Sequence, residues 1–457
     1  MEQPRVPTAG VAETGNVAGE HPCQIQKFLM LALDVHTSQV PEMFQRFCTA
    51  IGEEHWRKRV RQCKQEMKGN VFLHDYLVRE NDMAFQLDHL SELVHRFGRI
   101  PLAEAENHHV YPALALVAQT LSVLDASKKD DAERFRRRLH GAFKNPADMR
   151  GLRLELVAAT HFARRGQRIS WPETNGTGTF DLLVEGDGHA PLEVECKSIG
   201  EDKGRRIHRR EIIDFAALLK PHVRSTTSGL RRGLSVVVTV PDRLPSSHRE
   251  KVDLAKALGH IIFAGSTGDL ADGTSVRMTE FDVAQAVTGS QPDPSELRAT
   301  VDAISGTNNR SAIVIGTREG GMLTLTIQSR RDDAFMASVF NTLSDAAKHQ
   351  LTGTRAGMLL TGFDGLDGEQ LRSIAAQDQD SSQPATALRV AASRFLSSDT
   401  RNHVVGVGFV SRSALRAPTS GLVESGGTAY YFPKRESTFW CDGFSGMFEW
   451  SSKVTAT

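Results

Sequence analysis

Apolar residues recur every third or fourth position through the first third of this chain and every second position in its middle, and that change of period organises it. Phe28, Leu31, Ala32 and Val35 keep the helical period, as do Phe85, Leu87, Leu90, Leu93 and Val94, and again Tyr111, Leu114, Leu116, Val117 and Leu121. This predicts helices from residue 24 to about 140, with Pro41, Pro101 and Pro112 at boundaries or first turns. Residues 1 to about 20 show no period and predict a mobile tail. Asn145-Pro146-Ala147-Asp148 then starts a helix with a cap, a proline in the first turn and an acid at the positive end. Arg164-Arg165-Gly166 stops it.

A short strand is expected at 168–171, a polar connection at 172–178, and a β-hairpin at 180–199 about Gly186-Asp187-Gly188-His189. A helix over 205–220, ended by Pro221, and a buried strand over 234–240 follow. Further on, the pattern predicts a helix at 246–258, a strand at 260–264, connections at 265–273 and 291–296, and a hairpin of 311–316 with 322–328. A helix at 333–351, a strand at 356–361, helices near 368–376 and 385–396, and strands at 403–410 and 429–433 complete the chain. The expected class is α/β with several domains: a tail (1–20), a helical domain (21–143), a mixed domain (144–290) and a C-terminal α/β domain (297–457).

Composition narrows the function classes. The 457 residues carry 55 cations and 55 anions, so any nucleic-acid footprint is local. Five cysteines without C-x-x-C spacing argue against a disulfide framework or a zinc site and fit a reducing cytoplasm. No run approaches the ~18 apolar residues of a membrane helix, and no signal pattern opens the chain, so a cytoplasmic protein off the membrane is expected. No phosphate-loop motif is present.

The chemistry concentrates in the hairpin. Residues two apart share a strand face, so Glu193, Glu195 and Lys197 lie together, and a five-residue loop sets Asp181 across from Glu195. Two carboxylates at that separation repel each other unless a hard cation lies between them, and oxygen ligands suit Mg²⁺. A lysine beside them can orient water or stabilise charge on a phosphate. The plain alternative is a solvent-facing cross-strand ion pair. In the preceding helix Glu155 projects among Leu152, Ala158, Ala159 and Phe162, which calls for either a structural arginine partner or a place in the site.

From Glu201 to Arg232, nine cations (Lys203, Arg205, Arg206, Arg209, Arg210, Lys220, Arg224, Arg231, Arg232) face four anions, a local surplus of five where a phosphate backbone would bind. A basic surface helix paired along its own length by Glu211 and Asp214 is the alternative. The clusters 56–61 and 134–138 are also basic and read as solvated helix faces.

Helix, three strands, helix and strand over 145–240, with Asp181 opening the second strand, Glu195-Cys196-Lys197 in the third and Glu155 in the helix, resemble the PD-(D/E)XK nuclease superfamily. The resemblance implies a restriction-endonuclease-like αβββαβ core. It also implies Mg²⁺ (or Mn²⁺) held by Asp181, Glu195 and the Cys196 backbone carbonyl, with Glu155 assisting and Lys197 positioning water. Phe180 stands where the family name has proline, and Glu193 competes with Glu195 as the metal-binding acid. The implied activity is DNA endonuclease action in genome defence or repair, with Lys203, Arg205, Arg206, Arg209 and Arg210 on the backbone. An RNA-directed enzyme and a catalytically silent nucleic-acid-binding scaffold stand as alternatives. Homo-oligomerisation and a partner or trigger for the flanking domains remain open.

Overall fold

The computed structural model describes residues 34–286, 294–306, 311–364, 368–411, 422–424 and 429–448. The tail expected at 1–20 and the first expected helical residues, 24–33, lie outside it, and Val35 belongs to a short strand, β1 (Asp34–His36). A layer of helices follows, of which Val40–Ile51, Glu54–Gly69, Asp82–Phe97, Tyr111–Ala126 and Lys129–Ala142 are the longest. The Pro146–Ala163 helix begins as its sequence dictates, with the Asn145 side chain accepting the Ala147 N–H at 3.1 Å and Pro146 in the first turn.

Next come β2 (Arg168–Ser170), a single helical turn at Pro172–Asn175 inside the expected connection, β3 (Leu182–Gly186) and β4 (His189–Ile199). Leu182 faces Val194 and Val184 faces Leu192, and the register shifts only near the turn, where Gly186 faces His189. Extended by one residue, this register sets Asp181 against Glu195, as the alternation predicted. Gly188, at φ +91°, supplies the positive angle the turn requires.

After β4 the chain leaves the sheet. β5 (Gly233–Val240), β6 (Gly268–Asp269), β7 (Ser275–Phe281), β8 (Ser311–Gly316) and β9 (Met322–Ser329) form a second sheet in the order β6-β7-β5-β9-β8. The Phe335–His349 helix returns it to β10 (Ala356–Phe363), which pairs in parallel with β4 from Ala356 opposite Leu192 to Phe363 opposite Ile199. β11 (Val404–Val410) lies parallel to β10, β12 (Leu422–Glu424) pairs with β1, and β13 (Ala429–Pro433) closes a six-stranded sheet ordered β13-β11-β10-β4-β3-β2.

Several expectations are corrected. The strand over 234–240 lies in the second sheet, not beside the Glu195 strand. Each sheet draws strands from both sides of residues 291–296, so division into 144–290 and 297–457 does not describe them. The helix expected over 205–220 runs instead over Arg209–Ser228. It starts late because His208 and Glu211 form a reciprocal cap, and it passes through Pro221. A proline inside a helix costs roughly 3 kcal/mol. Burial of Leu219 and Val223 offsets it, as does packing on the His248–Ala264 helix, where a Cβ on Gly259 would come within 2.5 Å of His222. That second helix also absorbs the strand expected at 260–264, ending in left-handed Gly265, and β7 was not anticipated.

The helical layer is not a separate core. Phe44, Trp56, Leu87 and Leu114 belong to one apolar cluster with Leu152 and Phe162 of the Pro146–Ala163 helix and with Leu182, Val194 and Met358 of the six-stranded sheet. Across that sheet, Leu359, Val407 and Phe409 pack with Val339 and Leu343 of the Phe335–His349 helix. The five-stranded sheet has its own cluster, with Val236, Val238 and Ile327 against Phe215 and Leu258. Among the described residues no helix is long and apolar enough to cross a membrane.

Candidate functional site

β3 and β4 bring Asp181 and Glu195 to one end of the six-stranded sheet, and the helices beside it complete an acidic pocket. Asp181 Oδ2 accepts the backbone N–H of Cys196 at 2.8 Å. Glu195 lies across the strands from Asp181, with Lys197 Nζ on its Oε1 at 2.5 Å. The other Glu195 oxygen is buried and has no hydrogen-bond partner. An ionised oxygen left bare in the interior is costly, and both a proton and a cation relieve that cost.

Glu155 enters from the Pro146–Ala163 helix. Both of its oxygens are held by Arg138, at 2.6 and 2.5 Å, in the two-pronged geometry that matches a guanidinium to a carboxylate. This is the arginine partner weighed for a glutamate on an apolar face. The same guanidinium lies 3.7 Å from Glu173, which projects from the one-turn Pro172–Asn175 helix.

Burial raises all three interior acids above the usual carboxylate range. For Glu155 the loss of solvation and the Asp181 charge outweigh Arg138. For Asp181 burial outweighs the Cys196 N–H and the Arg138 charge. For Glu195 burial and Asp181 outweigh Lys197. The Cys196 thiol, fully buried among these charges, is pushed well above its ordinary value and is no nucleophile. Lys197, with 23% of its side chain exposed, and Glu173, with 53%, form the solvent side of the pocket.

Among Glu155, Asp181, Glu195 and Lys197, Asp181 is the link: its charge acts on both Glu155 and Glu195, and Lys197 bonds Glu195. Glu193 has a different place. Its carboxylate is wholly buried and accepts from the Thr352 N–H at 2.8 Å and the Thr352 hydroxyl at 2.6 Å, with Arg355 at 3.4 Å, which ties β4 to the loop entering β10. The cations expected on a phosphate backbone are largely engaged within the chain. Arg210 pairs with Glu66 and Asp214, Arg209 with Glu201, and Arg206 with Asp242, while the Arg206 backbone N–H donates to Asp333. Lys203 and Arg205 lie half-buried in the turn ahead of them.

Two members were missed in the sequence. Arg138 was read as part of a basic run, yet in helical phase it flanks the apolar stripe of Ala132, Phe135, Leu139 and Ala142, whereas Arg137 opposes it. Glu173 sits in a turn too short to leave a periodic trace. Among the described residues no group of three or more His, Cys, Asp or Glu is disposed to hold a metal ion. The residues that could hold a single ion are Asp181 and Glu195, whose Oε2 is buried without a hydrogen-bond partner, and a magnesium ion needs only one or two carboxylates from a protein when a phosphate supplies further ligands. Comparison with family models, with curated proteins and with solved structures finds no match to this chain.

Proposed function

We propose that the chain is a Mg²⁺-dependent nuclease, with DNA as the favoured substrate, and that its centre is the pocket of Asp181, Glu195 and Lys197. The observation that carries the reading is the Glu195 carboxylate, buried, bonded to Lys197 through one oxygen and bare at the other, opposite Asp181. Four carboxylates, Glu155, Glu173, Asp181 and Glu195, meet two cations, Arg138 and Lys197. With all four ionised, two negative charges stand uncompensated, and these would repel a phosphodiester until a divalent cation neutralises them.

Asp181 and Glu195 would hold that ion, and Mn²⁺ would serve in its place. When bound, it supplies Lewis-acid polarisation of the phosphate and a more acidic water. Lys197, fixed by Glu195 and partly open to solvent, places a positive charge where the attacked phosphate gains negative charge. Cys196 contributes its backbone, since its N–H already orients Asp181. Glu155 acts through Arg138, which holds it rigid beside Asp181.

On this reading the αβββαβ order is met by the Pro146–Ala163 helix, β2, β3, β4, the Phe335–His349 helix and β10, with the five-stranded sheet and its helices inserted between β4 and that last helix. Such an insertion and a helical layer that shares the catalytic core suit an enzyme under control, as in genome defence or repair. That assignment is analogy at the level of fold. The test is nicking of supercoiled plasmid, and of a structured RNA beside it, by purified protein in Mg²⁺ or EDTA. Cutting that needs the metal and disappears in folded Asp181→Ala and Lys197→Ala variants is expected. Cutting that survives both substitutions would sink the assignment.

A further inference from the structure

We infer that Arg138 is a fixed second cation of the acidic pocket, so that the pocket takes one divalent ion, at Asp181 and Glu195, and not two. This rests on the nuclease reading above and adds its metal stoichiometry. The three interior carboxylates are not equally available. Glu195 has a bare oxygen, and Asp181 has spent Oδ2 on a backbone N–H. Glu155 has spent both oxygens on Arg138.

The guanidinium does more than neutralise Glu155. It reaches within 3.7 Å of Glu173 and stands on both Glu155 oxygens, the ones an ion shared by Glu155 and Asp181 would need. Lys197 serves the opposite side, on Glu195. Charge points the same way when all four carboxylates are ionised, because one divalent ion then balances the two uncompensated negative charges and a second would leave a surplus of the opposite sign. An arginine suits this role better than a lysine, because it stays charged and its planar fork engages both carboxylate oxygens at once. It is delivered by the Lys129–Ala142 helix, outside the hairpin and its neighbouring strands, so the helical layer completes the electrostatics of the centre.

The experiment is titration of the full chain with Mn²⁺ near neutral pH, with free and bound ion counted by electron paramagnetic resonance, a readout independent of cleavage. One Mn²⁺ per wild-type chain is expected, two for Arg138→Met, and one again for Arg138→Met combined with Glu155→Gln, because the second ion then lacks its carboxylate. Two ions in the wild type, or one in Arg138→Met, would overturn the inference while leaving the metal-dependent reading intact. No bound ion in the wild type, whether a phosphodiester is present or absent, would overturn both. Should Arg138→Met fail to fold, Arg138→Gln carries the same test by thermal melting. Mn²⁺ is expected to raise its melting temperature more than that of the wild type, and an equal rise in the two proteins counts against a second site.

Discussion

β4 and β5 are built alike and used differently. Each is an interior strand with one antiparallel and one parallel neighbour, β3 and β10 for the first, β7 and β9 for the second. β5 is almost wholly buried, and β4 is buried from Leu192 to Cys196. β5 fills its interior with Leu234, Val236, Val237, Val238 and Val240, whereas β4 places Glu193 and Glu195 among Leu192, Val194 and Cys196. β5 holds the equivalent position with apolar side chains and the buried Ser235 and with no charge, so a strand there does not need a carboxylate such as Glu195 for stability. Buried charge costs several kcal/mol per ion before partners are counted. One of the two, Glu193, is fully partnered and tied to a loop, and the other is left half bare beside Asp181. Glu193 fastens the sheet to a neighbouring loop, whereas Glu195 keeps one buried oxygen without a hydrogen-bond partner.

The largest expected effect breaks the comparison at the pocket. Asp181→Ala and Lys197→Ala should each reduce plasmid cleavage by roughly 10²–10³-fold, the scale on which charge-stabilising groups in a dry site act. Circular dichroism should show both still folded, and chemical denaturation should show little loss. The converse substitution lies in β5. Val236→Ala removes fully buried methyl groups and should lower unfolding free energy by about 2–3 kcal/mol in urea, with cleavage per folded molecule unchanged. Loss of specific activity in Val236→Ala would mean that the five-stranded sheet takes part in the chemistry.

What the sequence disclosed of this follows the range of the interactions. The Asn145-Pro146 cap, the hairpin and the Asp181–Glu195 register are decided within a few residues, and alternation alone places them. The partner of β4 is decided much later in the chain. Residues 234–240 and 356–363 are both short apolar runs of the kind that fill a parallel sheet, and nothing in either says which pairs with β4. Nearness in the chain favoured the first, and the structure uses the second. The Pro221 boundary failed for a related reason, since contact with Gly259 across two helices outweighs a local penalty. In the pocket, the hairpin's acids and Lys197 were legible because they share a strand face. Arg138 was hidden in a run of like charges, where only helical phase distinguishes the cation beside the apolar stripe from those facing water.

A finer cut separates the two acids of β4. Glu193→Gln keeps the size and one acceptor but removes the charge that meets Arg355 and the second acceptor on Thr352. A loss of about 1–2 kcal/mol in urea is expected, with metal-dependent cleavage retained. Glu195→Gln should do the reverse. Burial and the Asp181 charge penalise the ionised form of Glu195 despite Lys197, so neutralising it should preserve or raise stability while abolishing cleavage. If Glu193→Gln abolishes cleavage and Glu195→Gln does not, the metal-binding acid has been displaced by two residues.

The smallest effect concerns a partly buried histidine that has no part in the pocket. His161, on the Pro146–Ala163 helix, meets the Tyr431 hydroxyl through Nε2 at 2.9 Å and Arg165 through Nδ1 at 3.2 Å. Burial holds its pKa down at about 4, and the Arg165 and Arg164 charges add to this, against a backbone hydrogen bond with Met447 that acts the other way. The unfolded chain titrates this histidine near 6.5, so above that pH neither state is protonated and the histidine costs nothing. As pH falls below 6.5 the unfolded state gains a proton that the folded state refuses, and stability declines until about pH 4. Between pH 7 and 5.5 the decline due to His161 should be about 1 kcal/mol. Urea unfolding of wild type and His161→Gln at the two pH values isolates it, because the variant should lose less stability over that interval than the wild type by that amount. An equal loss in the two proteins would show that His161 accepts a proton in the folded state, and that the Tyr431 contact survives an imidazolium facing two arginines.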